Sequence, residues 1–149
     1  MVKITSACLL GIKCRFDGRS NLNEDIIDLC KNDIIIPVCP EKFGGLPTPR
    51  PPSELIKNKV IMKSGRDVTK SFKEGAKEVL RIAQLYGVDE AIFKDGSPAC
   101  GCGEIYDGTF LNRIIKGDGI ATKLLKKNGI KVISEKNILY VRHAALPRA

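Results

Sequence analysis

Three short apolar runs constrain this chain more than any other feature: Val2 to Leu10, Ile34 to Val38, and Val88 to Phe93. Each is too short and too rich in β-branched residues for a helix, and each gives way to glycine- or proline-containing sequence. Between them lie stretches of helical period. Asn21 or Asn23 caps a predicted helix through Lys31, with Glu24 and Asp25 suited to its first turn. A longer one, capped by Thr69 or Ser71 and running to about Tyr86, carries Phe72, Ala76, Val79, Leu80 and Ala83 on one stripe and stops at Gly87. A third helix spans about Ile120 to Asn128, and Ile130 to Ser134 is the last strand. Leu55 to Thr69 reads as a small hairpin. Strands alternating with amphipathic helices predict an α/β fold: a Rossmann-like sandwich in one domain over 1–149, mostly parallel, with helices on both faces.

Sheets of this kind bind ligands beyond the carboxyl ends of their strands. Cys8, Cys39 and Cys100 all fall there, one after each of the first three main strands, so one edge is expected to gather three thiols. The loop carrying Cys100, FKDGSPACGCGEIYDG at 93–108, is broken by glycine and proline, which leaves its thiol approachable. Three thiolates suit zinc with an open position or a [4Fe–4S] cluster with one iron lacking a protein ligand. Of the other cysteines, Cys30 lies on a helix stripe and reads as core, Cys14 as an exposed thiol or minor packing residue, and Cys102 as half of a CxC with redox capacity.

Beside these thiols lie groups able to move protons or orient a substrate. Glu41 is two residues past Cys39, and Ser97 three before Cys100. The segment CPEKFGGLPTPRPPSE, with five prolines and two glycines in 16 residues, reads as a rigid loop that positions Glu41, Arg50 and Glu54, the last two suited to an internal ion pair. His143, the only histidine, sits in a weakly periodic tail from Lys136 that is expected to pack loosely, so a histidine-based triad is excluded as the working model. No Walker or GxGxxG pattern follows a strand.

Composition narrows the partners. A net charge of +8 attracts anions, but the lysines are scattered and most fall on polar helix faces, while tryptophan is absent. Nucleic acid is therefore a secondary expectation. No signal peptide or membrane span is read from the sequence, which places six cysteines in a reducing, cytoplasmic compartment as thiols or metal ligands.

The motifs SACLLG at 6–11, RFDG at 15–18, PVCPEKFGGLPTPRPPSE at 37–54, GRDVTKSFKEGA at 65–76, SPACG at 97–101 and IYDGTF at 105–110 together resemble the thiouracil desulfidase family, formerly a domain of unknown function. The resemblance runs from residue 2 to about 135. It implies a [4Fe–4S] cluster held by Cys8, Cys39 and Cys100, with one open iron, and non-redox removal of sulfur from a thiolated uracil or related thiopyrimidine. It also implies catalytic parts for Glu41 and Ser97. Departures from the family pattern are Cys14, Cys102, Asp95-Gly96 and the tail after Lys136. Two competing readings stand beside it: a non-catalytic metal or cluster module that recruits RNA, and a thiol redox protein using Cys100 and Cys102.

Overall fold

A computed structural model describes residues 1–138. His143 and the remainder of the tail lie outside the described residues. The chain begins with β1 (Val2–Ser6), α1 (Glu24–Leu29), β2 (Ile34–Val38) and a four-residue helix α2 (Pro40–Phe43). A hairpin follows, β3 (Ser53–Ile56) and β4 (Lys59–Met62), then the long helix α3 (Thr69–Leu85) and β5 (Glu90–Phe93). A second hairpin, β6 (Glu104–Tyr106) and β7 (Ile114–Lys116), precedes α4 (Ile120–Lys127) and β8 (Lys131–Ser134).

The main sheet is four-stranded and parallel throughout, in the order β2-β1-β5-β8. Pro37, which has no N–H to donate, is tolerated because β2 is an edge strand. Alternation along the strands divides the core. Ile4, Val38, Ala91, Phe93 and Val132 pack with Phe72, Ala76, Val79 and Leu125 of α3 and α4. Ile92 points to the opposite face, where Leu9, Ile26 of α1 and Ile138 cover it. Helices thus flank both faces, as the sequence pattern requires. Among the described residues no helix is long and apolar enough to cross a membrane.

Several details depart from expectation, each for a local reason. β1 ends at Ser6, and Ala7–Leu10 turns into a 3-10 helix closed by Gly11 at φ 89°. The first helix is only six residues long, capped by Asn23 Oδ1 accepting from the Asp25 and Ile26 amides. The long helix starts at Thr69 without a side-chain cap, because Thr69 Oγ1 instead accepts the Val60 amide at 2.9 Å and ties α3 to the hairpin. The strand pair β6–β7 lies in sequence that glycine content marks as loop. Finally, the chain after Lys136 does not begin loosely: Ile138 is buried, and Glu135 is hydrogen-bonded to the Asp95 amide at 2.8 Å.

One close contact sets the position of α2. A Cβ on Gly75 of α3 would collide with the Pro40 carbonyl oxygen, and one on Gly44 with the Ser71 carbonyl. These two glycines let the backbones of α2 and α3 meet directly.

Candidate active site

A cavity of about 470 Å³ opens at the carboxyl ends of β1, β2 and β5. Cys8, Cys39 and Cys100 all line it, together with Glu41 and Ser97. The parallel register explains the meeting. β1 pairs with β2 on one side and with β5 on the other, so the segments leaving all three strands emerge side by side.

A fourth thiol joins them. Cys14 is buried, lines the same cavity, and lies within hydrogen-bonding reach of both Cys8 and Cys39. Donation from Cys14 is the main cause that lowers the Cys39 thiol to about 7, against the opposing cost of burial. It also heads the causes that lower Cys8, again against burial, with Asn21 assisting. Cys14 itself is pushed up strongly, chiefly by its bonds to Cys39 and Cys8, so it is the proton donor of the trio. Cys100 is also raised, foremost by burial, although the Ser6 hydroxyl hydrogen-bonds its thiol. A coordinated metal deprotonates such a buried thiol outright.

Cys102 is separate. Its Sγ contacts the Val132 carbonyl of β8 at 3.3 Å, and it does not line the cavity, although Cys100 does. All six cysteines are free. The dithiol reading of Cys100 and Cys102 therefore finds no support in the direction of their side chains. Cys30 is exposed at the end of α1, not in the core, with its thiol against the Ile26 carbonyl.

The proline-rich segment does position charged groups, but with different pairing from that expected. Arg50, whose side chain is 2 % exposed, donates from Nε to Glu41 Oε1 at 3.3 Å. Its remaining donors go to the carbonyls of Pro47 and Cys14 and to Thr48 Oγ1. Burial raises the Glu41 carboxyl above its ordinary range, and Arg50 holds it back. Glu54 makes no pair with Arg50 in this arrangement. Its Oε1 accepts the amides of Gly108 and Phe110 at 3.0 and 3.1 Å, pinning the β6–β7 loop whose Phe110 and Asn112 line the cavity.

Ser97 is held by the loop it caps. Its Oγ accepts the amides of Ala99 and Cys100, each at 3.1 Å, leaving the hydroxyl hydrogen free to donate. The loop is fixed from below by α4, where Ile120 and Ala121 amides donate to the Pro98 and Ala99 carbonyls. The Asp95-Gly96 pair before it also has a structural reason. Asp95 bonds Lys94 and Lys136, each at 2.6 Å, and Gly96 adopts φ 77° with the Tyr106 ring close against it.

Sequence reasoning left the place of Cys14 open, as a departure from the family pattern, and missed Asn21 as a member of the site. The turn signals in RFDG and the asparagine that follows were there to mark a loop returning toward Cys8, but not its closure on the thiol.

Among the described residues, no three Cys, His, Asp or Glu side chains converge as a single-ion site requires. The thiols of Cys8, Cys14, Cys39 and Cys100 in the cavity lining supply the donor type that holds an iron–sulfur cluster, whose ligands are cysteine thiolates.

Comparison with known proteins agrees with this chemistry. The model of the 2-thiouracil desulfurase family matches residues 4–137. A solved structure named as the [4Fe-4S]-dependent thiouracil desulfidase TudS superposes with a TM-score of 0.89 at 41% identity, covering 95% of each chain. Protein YbbK of Bacillus subtilis (strain 168), described as uncharacterized, is 39% identical over 145 residues, covering 91% of this chain and 96% of its own.

Proposed function

The chain belongs to the 2-thiouracil desulfurase family, and from that premise we propose that it removes sulfur from a small thiolated pyrimidine without net redox change. A [4Fe–4S] cluster is the cofactor of this reading, held by Cys8, Cys39 and Cys100. The carrying observation is that the three thiols share one cavity with an arginine-held carboxylate and a serine whose hydroxyl is free to donate. When bound, the cluster supplies a Lewis-acidic, sulfur-seeking iron.

The chain's own residues account for the remaining work. Overall, water replaces sulfur: its oxygen becomes the new carbonyl oxygen, and its two protons leave with the sulfur as hydrogen sulfide. Glu41 is the group that takes a proton from that water and passes it on. Arg50 engages Oε1 and leaves Oε2 to handle the proton. A carboxyl raised by burial suits such duty better than an ordinary exposed one. Ser97 donates its hydroxyl hydrogen to a substrate heteroatom, while Phe16, Tyr106 and Phe110 supply apolar wall for a planar ring.

The test is anaerobic reconstitution with iron and sulfide, counting both per chain, followed by addition of 2-thiouracil and assay of free sulfide and uracil. Four irons with matched release of the two products is the expected result. Loaded protein that releases no sulfide from any thiopyrimidine sinks the enzymatic reading, and folded protein that takes up no iron sinks the cofactor.

A further inference from the structure

The loop from Gly11 to Asn21 closes back on Cys8 at its far end through Asn21. Asn21 donates its backbone N–H to the Cys8 carbonyl at 2.9 Å. Its side-chain Nδ2 stands 3.4 Å from Cys8 Sγ. On the other side of the same carboxamide, Oδ1 accepts Arg15 Nη1 at 2.7 Å, and Arg15 is itself held by Asp17 at 3.0 Å.

This arrangement removes the usual ambiguity of an asparagine. A guanidinium only donates, so the carboxamide oxygen must face Arg15 and the NH₂ group must face the sulfur. A freely turning amide would present either end to Cys8. This one is fixed as a donor toward the sulfur.

We propose that Asn21 is a positioning residue for Cys8, holding its sulfur by an N–H···S bond and withdrawing charge from it when Cys8 serves as a ligand. The inference rests on the cluster reading above and extends it to a residue outside the ligand set. Partners that hydrogen-bond a ligating atom orient it and tune the metal, and their loss costs about 10- to 100-fold in metal affinity or activity. Hydrogen bonds to cluster and ligand sulfurs also help to set the reduction potential.

The rival role is that Asn21 merely staples the loop through Arg15. Two substitutions separate them. Asn21→Asp keeps an oxygen toward Arg15 but places an acceptor against the sulfur, whereas Asn21→Leu loses both contacts. Each is reconstituted beside the parent, and iron loss to a chelator, the iron–sulfur stretching frequencies and thermal melting are recorded. For a donor to Cys8, both variants lose iron about 10-fold faster than the parent and shift the stretching bands. Asn21→Leu also moves the reduction midpoint to more negative values. If Asn21→Asp matches the parent in iron retention and stretching frequencies while only Asn21→Leu fails, the donor role is overturned. Should Asn21→Asp not fold, Arg15→Met carries the test: it leaves Asn21 in place but lets the carboxamide turn, and parent-like iron retention and bands would overturn the proposal. A parent that takes up no iron removes the cluster reading and this inference together. Normal loading with an indifferent Asn21 removes this one alone.

Discussion

Arg50 Nε and Glu41 Oε1 lie 3.3 Å apart, and the other donors of that guanidinium are spent on Pro47 and Thr48 of its own loop and on the Cys14 carbonyl of the loop after β1. The pair is unequal: the Arg50 side chain is 2 % exposed and that of Glu41 18 %. Removing the arginine orphans several acceptors, whereas removing the carboxylate leaves a cation still bonded to neutral oxygens. Arg50→Met is therefore expected to cost about 3–5 kcal/mol in urea unfolding. Glu41→Gln should cost far less stability, retain iron, and lose about 10²–10⁴-fold in turnover. Full turnover by iron-loaded Glu41→Gln would remove Glu41 from the chemistry.

The proposed ligand set predicts a split among the cysteines. Cys8→Ser, Cys39→Ser and Cys100→Ser should each fail to hold iron after anaerobic reconstitution. Cys102→Ser, whose thiol faces the Val132 carbonyl, should load like the parent. Cys14→Ser should also load, because a hydroxyl keeps the donor toward Cys39 and Cys8. Iron counts that emptied with Cys14→Ser while surviving Cys8→Ser would reassign the ligands.

Glu54 acts at a distance from the thiols. Glu54→Ala frees two amides of the β6–β7 loop, at Gly108 and Phe110, and is expected to destabilise by about 1–3 kcal/mol. Because that loop lines the cavity mouth, KM for the thiopyrimidine should rise several-fold at unchanged iron content. A fall in kcat with constant KM would contradict the placement of Phe110 against substrate.

Acid should loosen the junction between the Ser97 loop and the start of the tail. Burial pushes the Asp95 carboxyl up, but hydrogen bonds with Glu135, Lys136 and Lys94 outweigh it and hold it well below the ordinary carboxylate range. A depressed carboxyl contributes stability that is present above its unfolded value, about 3.9, and lost as pH falls toward the folded one. Glu135 is raised, foremost by burial, and so offsets part of this with the opposite sign: its contribution is held at low pH and lost as pH rises above about 4.3. Melting temperature should therefore drop as pH falls below about 4, by about 2–4 °C per kcal/mol lost, and Asp95→Asn should flatten that slope. An equal slope in both proteins would assign the acid response elsewhere.

Gly75 tests how tightly α2 is set. Gly75→Ala drives a methyl into the Pro40 carbonyl and is expected to cost about 1–3 kcal/mol through overpacking. The displaced segment begins at Cys39, so iron retention should fall alongside the denaturation midpoint. Lost stability with full iron retention would show that the cavity wall tolerates the shift.

Much of this could be read before the fold was known, and the boundary is physical. Strand ends are written locally, in runs such as Ile34 to Val38, and the rule for parallel sheets then brings Cys8, Cys39 and Cys100 to one edge. Pairings between loops are not written locally. The sequence suggested the nearby Glu54 as the partner of Arg50, whereas the fold of the proline-rich segment brings Glu41, nine residues away, to the guanidinium. Cys14 looked exposed because its neighbours Ile12, Lys13 and Phe16 gave no periodic signal. The β6–β7 hairpin was hidden by glycines that serve its turns, with Gly108 at φ 94° against Leu55 and Ile56.

The parallel order of the sheet also has a consequence in time. Ile4 must pair with Ala91 before the ends of β1 and β5 stand together, and Cys100 leaves the ribosome long after Cys8 and Cys39. No early fragment of the nascent chain carries the full ring of thiols. Contacts this distant form late, after the entropy of closing the intervening chain has been overcome. A cluster held by Cys8, Cys39 and Cys100, as proposed above, would find its complete cavity only once β1 and β5 have paired.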